Sequence, residues 1–334
     1  MNFVYILLIA ITFSSLGAWF MSRYAYRFGL LDIPNDRSSH ILPTPRGGGI
    51  GILASYIFLA QFFSLPHSVW LPAVFLAFIS FFDDKLCLAP QIRLFFQFVA
   101  AFTCLGYIYF FSNYHSLDVK FHALQSIVTF LFFCIVIVGT ANFYNFMDGI
   151  NGIAGITGIV AFGLLGFFAN NYAHQSTISL SAFGVAAACL GFLPFNVPRA
   201  RVFMGDVGSI LLGFVFASYL ALLVNSLTDF LVLAGFLSTF YIDALTTLYI
   251  RKRDGEQLSE AHRRHLYQLF TNQLQVPHWK VSLCYGAVQL LIGLLLLAVY
   301  PYGSTVVSVT VVILVALWTV VMRKVRQRVE VQQT

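Results

Sequence analysis

Two adjacent acids, Asp83 and Asp84, close an apolar run and are followed at once by Lys85. Carboxylates at such a boundary are costly unless a cation or a shared proton meets them, and they suit Mg²⁺ and phosphate chemistry. Further on, Asn142, Asn145, Asp148 and Asn151 recur every third residue. On a short helix that spacing puts them near one face, where a hydrated cation with a nucleotide would satisfy them. Hydrogen bonding between helices is the plainer alternative. A third acid, Asp206, follows Phe203-Met204-Gly205 at the start of another apolar run, where it complements a helix dipole, and Phe203 suits either stacking on a base or anchoring at the membrane interface.

Basic and glycine-rich segments accompany these acids. The stretch from Asp32 to His40, then Pro43 to Gly49, contains Arg37, His40 and Arg46. Its prolines forbid a regular helix, and Gly47, Gly48 and Gly49 let a backbone approach a ligand closely. The segment Ser259 to Tyr267 holds His262-Arg263-Arg264-His265, and arginine forks match phosphate geometry. Each cluster alone fits an ordinary loop. Carboxylates, amides, arginines and glycine loops on one face together describe a Mg²⁺–diphosphate site at a membrane surface.

The elements that must position these residues follow from composition. Of 334 residues, 59% are apolar and 10% charged, against roughly 25% charged in a soluble domain. An all-α polytopic membrane protein is expected, read as one domain over 1–334 with its motifs between 32 and 267. At about 20 apolar residues per span, eleven spans are predicted (ten if the pair around Pro66 and Pro72 is one): 3–21, 48–65, 69–82, 93–111, 121–140, 152–169, 177–195, 208–225, 228–249, 281–299 and 304–322. The first is expected to be a retained helix and not a cleaved signal.

Alternate loops between these spans hold 18 of the 19 Lys and Arg, and Lys120 alone falls on the other side. That asymmetry predicts a cytoplasmic motif face, an outside N-terminus and a cytoplasmic C-terminus. The net charge of +6 therefore points to anionic lipid or substrate and not to nucleic acid. The five cysteines are scattered without metal-like spacing, so neither a disulfide nor a zinc site is expected. Asp243 sits about 12 Å inside its span from Arg251 at 1.5 Å per residue, and an intramembrane acid is a functional candidate.

The order and spacing of PNDRSSHxxPTPRGGG, FFDDKxxLxPxxRLxxQ, NFYNFMDGINGIAG, VFMGDVGS and HRRH, with YIDALTTLYIRKR between the last two, resemble the polyprenyl-phosphate N-acetylhexosamine-1-phosphate transferases, glycosyltransferase family 4. That family includes the bacterial enzymes that start O-antigen and enterobacterial common antigen, the peptidoglycan lipid I translocase, and the eukaryotic dolichol-phosphate enzyme. The resemblance implies Mg²⁺ (or Mn²⁺ in its place) on Asn145 and Asp206, with Asp83 and Asp84 near the metal and the lipid phosphate. It implies a site acid at Asp148 and a uracil pocket of Phe203, Gly149 and Asn151. His262, Arg263, Arg264 and His265 would contact the diphosphate and sugar, while Arg46 and Asn142 complete the expected substrate-binding set. Asp243 would hold a neighbouring helix, with an arginine near the site as its expected partner.

Two departures narrow the resemblance. Asn151 stands where many bacterial members have a second Asp, as it does in the eukaryotic branch, and HRRH replaces three successive histidines of the lipid I enzyme. The pattern is closer to the O-antigen initiating group. The implied reaction is attack of undecaprenyl phosphate on the β-phosphorus of a UDP-N-acetylhexosamine or deoxy derivative, releasing UMP at a bacterial inner membrane. A route through an aspartyl intermediate stays open, and a homodimer is among the family's assemblies. The competing classes are a nucleotide-sugar or lipid-linked-sugar transporter, which would need polar groups through the midplane, and an inactive scaffold.

Overall fold

A computed structural model describes residues 2–34, 39, 42–86, 88–110, 123–257 and 263–333. The chain folds as a bundle of helices: α1 Phe3–Tyr24, α2 Ile50–Phe62, α3 His67–Leu86, α4 Pro90–Phe110, α5 Ala123–Met147, α6 Ile153–Asn171, α7 Ser176–Phe192, α8 Asp206–Leu223, α9 Leu227–Gly235, α10 Ser238–Arg253, α11 Leu266–Gln268, α12 His278–Val299 and α13 Ser304–Gln333. The only described strands are two residues each, β1 Leu31–Asp32 antiparallel to β2 Thr44–Pro45.

The all-α polytopic expectation holds, but the span count is lower than predicted. Among the described residues, eight helices are long and apolar enough to cross a membrane, and α9 with α10 makes nine if that pair is one span bent by 86°. Of the eleven predicted spans, α2 has only 13 residues, about 20 Å at 1.5 Å per residue. Helix α3 ends in Asp83, Asp84 and Lys85, so its polar last turn shortens its apolar length.

Helix α8 is the axis of the bundle, with 94% of its span buried, against 22% for α1 and 11% for α13. It packs on α5, α3 and α2. Small residues set these distances: a Cβ on Gly213 of α8 would come within 2.7 Å of the Ala141 Cα of α5. Without a hydrophobic force between helices in lipid, such close backbone approach supplies the dispersion contacts that hold the bundle. The consequence is a central helix whose first residue, Asp206, is fixed relative to α2, α3 and α5.

The break between α9 and α10 would leave backbone groups unpaired in an apolar interior, which costs several kcal/mol per group. Gln289 of α12 prevents this. Its side-chain oxygen accepts from the Thr239 backbone N–H (3.0 Å) and hydroxyl (2.9 Å), and its amide donates to the Gly235 carbonyl at 2.8 Å.

Candidate active site

Two loops meet at the polar end of α8. The Phe203 N–H donates to the Pro45 carbonyl (2.8 Å), and Gly48 and Gly49 donate back to Phe203 and Met204 (2.9 and 2.8 Å). Arg46 donates its own N–H to the Leu30 carbonyl at 3.0 Å, so the β1–β2 ladder and the 203–205 strand-like segment hold it from both sides. Gly205 adopts φ +74°, and a Cβ there would lie 2.6 Å from an Asp84 oxygen and 2.9 Å from the Gly47 nitrogen. Only glycine lets the chain turn here with Asp84 so close. Gly205 has no side chain to cap α8, and Asp84 does so from α3: the Asp206 N–H donates to both its oxygens at 3.3 and 3.1 Å.

Acids and arginines then alternate around Asp206. Arg46 Nη2 lies 3.5 Å from Asp84 Oδ1 and 3.7 Å from Asp206 Oδ1. Arg93 Nη1 lies 3.7 Å from Asp206 Oδ2 and 3.2 Å from Asp83 Oδ2. Asp83 also accepts the Leu88 N–H at 2.6 Å, which fixes the α3–α4 corner. Asp148 adds a fourth carboxyl near enough to be felt by Arg46, Asp84 and Asp206.

Four carboxyl groups share two guanidinium groups, so negative charge is in excess. The Asp84 side chain is 1% exposed, and burial, with the Asp206 charge adding to it, pushes its carboxyl up to about 7 against the pull of Arg46. Asp148 lies well above the ordinary carboxylate range for the same causes, removal from water first and the Asp206 charge next. Arg46 is raised, because Asp84, Asp206, Asp32 and Asp148 together outweigh its own loss of water.

The asparagine series divides. Helix α5 ends at Met147, and a step of three residues turns the side chain by about 60° from the last. The four side chains therefore do not share one face as the spacing suggested. Asn142 pairs with Gln97 of α4 at 2.6 Å, and Asn145 donates to Asp206 Oδ1 and Ser209 Oγ, both at 2.9 Å. Asn151 instead reaches the Pro198 carbonyl at 3.3 Å, and its own carbonyl accepts from Ser282 of α12 at 2.8 Å. Phe203 joins the cluster through its backbone, with its ring partly buried.

The basic segment is built differently from expectation. Asp243, fully buried, accepts from the Leu266 N–H (2.9 Å), the Tyr285 hydroxyl (2.7 Å) and Thr247 (3.2 Å), and lies 3.4 Å from His265 Nδ1. Its partner is thus this segment and α12, where an arginine was expected. His265 is 3% exposed and stacked on Tyr267, so its ring holds the turn. Arg264 is paired with Asp254 and Glu256. Arg263 is partly buried, and His262 lies outside the described residues.

Tyr267 carries this segment to the acids. Its hydroxyl donates to the Phe146 carbonyl at 3.0 Å, and a Cβ on Gly149 would fall 2.1 Å from that oxygen. Gly149→Ala is therefore expected to push Tyr267 off the 146–149 turn. Transfer activity should fall about tenfold or more, while a thermal melt shifts by only a few degrees.

Two site residues escaped the sequence reading as site residues: Arg93, which touches Asp83 and Asp206, and Gln97, which holds Asn142. Their signal was a pair of polar residues four apart on an otherwise apolar helix, which places them on one face.

The residues around Asp206 suit the Mg²⁺ that the resemblance implies. Their donors are carboxylate and amide oxygens, and carboxyl groups outnumber guanidinium groups there, so a cation can take the place of a retained proton. Among the described residues no three of His, Cys, Asp and Glu converge as a ready-made metal cluster. Mg²⁺ characteristically uses one or two carboxylates and completes its shell with water and substrate phosphates, so Asp206 and Asn145 are a sufficient protein share.

Comparison with known proteins finds a family match over the region that holds these acids. The family model for glycosyl transferase family 4 matches residues 67–225, which span Asp83, Asp84, Asn145, Asp148 and Asp206. The chain is 27% identical to the decaprenyl-phosphate N-acetylglucosaminephosphotransferase of Mycobacterium tuberculosis, over 76% of this chain and 71% of that one. It is 24% identical to the undecaprenyl-phosphate alpha-N-acetylglucosaminyl 1-phosphate transferase of Thermotoga maritima, covering 82% of this chain and 84% of the relative. The enzyme of the same name from Yersinia pestis is 27% identical, over 78% and 75%. In its motif order, its helical membrane architecture and these relatives, the chain is similar to glycosyl transferase family 4 over residues 67–225.

Proposed function

We propose that this protein transfers an N-acetylhexosamine 1-phosphate from a UDP-sugar to a polyprenyl phosphate, undecaprenyl phosphate in a bacterial inner membrane. The observation that carries the reading is Asp206. It is fixed at the first turn of the most buried helix and sits among Asp84, Arg46, Arg93 and Asn145 at the edge of the apolar bundle. The names of the relatives support a polyprenyl-phosphate acceptor and an N-acetylglucosamine phosphate group, so UDP-N-acetylglucosamine is the first donor to try. The product would begin a cell-surface polysaccharide such as O-antigen, made on the cytoplasmic face.

In the reaction, an oxygen of the lipid phosphate forms a bond to the β-phosphorus of the donor. The bond between that phosphorus and the α–β bridging oxygen breaks, and UMP leaves with the electron pair. The acceptor is mostly dianionic at pH 7, since a monoester's second pKa is about 6, so a strong base is not required. The main obstacle is bringing two anions together, and Arg46 and Arg93 supply positive charge around the acids. A Mg²⁺ held by Asp206 and Asn145 would neutralise diphosphate charge and favour the leaving phosphate. Asp83 and Asp84 hold the two arginines and orient them towards the phosphates.

The test is UMP release by the purified protein in detergent, with undecaprenyl phosphate and a panel of UDP-N-acetylhexosamines. Release is expected only with lipid, divalent metal and one or a few donors, and EDTA should stop it. Binding of UDP-sugars with no UMP from any donor would refute the transferase reading.

A further inference from the structure

The last helix, α13, lies outside the family-matched region, yet it touches the basic segment directly. Arg326 Nη2 donates to the Arg264 carbonyl at 2.6 Å. Arg326 shares the inward face of α13 with the buried Met322 and Val329, three and four residues away, as helical spacing requires. Helix α13 also packs on α10 and on the helical turn Leu269–Gln273 that follows the basic segment.

The side chain of Arg264 is held as well. Its two terminal nitrogens meet Glu256 and, at 2.6 Å, Asp254. Glu256 also pairs with Arg251, 2% exposed, at 2.9 Å, and Arg253 meets Asp254 at 3.1 Å. Gly255, at φ +76°, makes the turn that sets both acids towards Arg264. Beneath, Asp243 holds Leu266 and His265. The segment is therefore fastened on three sides, and its fourth side is Tyr267 on the Phe146 carbonyl, beside Asp148.

We infer that Arg264 and Arg326 form a clasp, in which the end of α13 and the Asp254–Glu256 turn position the basic segment against the acid cluster. Arg264 and Arg326 are positioning residues here. A guanidinium whose two terminal nitrogens already meet carboxylates has little left for a bidentate grip on phosphate. The inference rests on the transferase reading for its effect on activity.

The experiment compares Arg326→Ala, Arg326→Lys, Arg264→Gln, Glu256→Gln and the Arg264→Gln/Glu256→Gln double variant in the full chain. Donor KM and kcat are read from UMP release, and hydrogen exchange is followed at the amides of 263–273. Arg326→Ala, Arg264→Gln and Glu256→Gln should each raise donor KM about tenfold, as loss of one charge-assisted hydrogen bond does, with kcat within about twofold. The double variant should be no worse than the worse single one, and Arg326→Lys, which can still donate to a carbonyl, should recover most of the loss. Exchange at 263–273 should quicken while α6 and α7 stay unchanged. A loss in Arg264→Gln of about a hundredfold or more, with Glu256→Gln unaffected, would make Arg264 a substrate ligand and overturn the clasp. A lower KM in Glu256→Gln would make the acids inhibitory instead. Unchanged exchange in Arg326→Ala overturns the inference whether or not the wild type releases UMP, so the failure of the transferase reading is seen separately.

Discussion

Asp206→Asn is expected to lower kcat/KM for sugar-phosphate transfer by about a thousandfold, the upper range for removing a group that stabilises charge in a transition state. The change keeps shape and volume, and the backbone N–H of residue 206 still reaches Asp84. What it removes is the one charge that faces Arg46, Arg93 and Asn145 together. Stability should hold or rise, because the site has more carboxyl groups than cations and Asp206 is the charge that most opposes ionisation of Asp84 and Asp148. Steady-state UMP release and a thermal melt on the same preparation check both halves. A variant with near wild-type turnover would remove Asp206 from the chemistry, and one that fails to fold would make it structural.

Gly49→Ala is expected to have the largest effect through backbone alone. A Cβ at this position would lie 2.4 Å from the Gly208 Cα, 2.6 Å from its nitrogen and 2.9 Å from the Met204 carbonyl. All three are backbone atoms, so no side chain can swing aside, and the 45–49 loop must move away from the start of α8. Overpacking of this kind costs about 1–3 kcal/mol. The larger consequence is geometric, since the loop carries Arg46 and α8 carries Asp206: a shift of about 1 Å at a reacting centre costs on the order of a hundredfold in rate. Gly163→Ala in α6 is the control, because nothing lies within 4 Å of its added Cβ; it should keep full activity and melt no lower. Equal activity in the two variants would show that the loop contact is not tight.

Much of this site was legible in the sequence because chemistry and spacing coincide there. The Gly205-Asp206 turn ahead of an apolar run marks the start of α8, and the Asp83-Asp84 pair marks the end of α3. What stayed illegible were partners chosen by tertiary packing. Asn151 shares the three-residue rhythm of Asn145, yet α5 ends between them and Asn151 turns to Pro198. Arg264 and His265 belong to a motif whose charge suggests a ligand, but acids on α10 and the turn after it claim both. In the sequence Arg93 reads as a loop charge that helps orient the chain and as one letter of FFDDKxxLxPxxRLxxQ, with no site role attached.

The reading of 228–249 as one straight span failed for a related reason. Hydropathy reads 228–249 as one apolar stretch, whereas α9 and α10 meet at 86°. A break inside an apolar bundle is tolerable only because Gln289, some fifty residues later, satisfies the freed backbone. No window over the bent segment contains that residue.

The most direct measurement is the fate of the donor's β-phosphorus. UDP-N-acetylglucosamine labelled with ³²P at the β position is incubated with the protein, undecaprenyl phosphate and Mg²⁺, and the lipid extract is separated from the aqueous phase. The account predicts that label and sugar enter the lipid together as a diphosphate-linked product, with unlabelled UMP left in the water. Sugar in the lipid with the label retained in aqueous UDP would mean ordinary glycosyl transfer, and label confined to intact donor would mean none. Either result would contradict the phosphoryl-transfer reading of the Asp206 site.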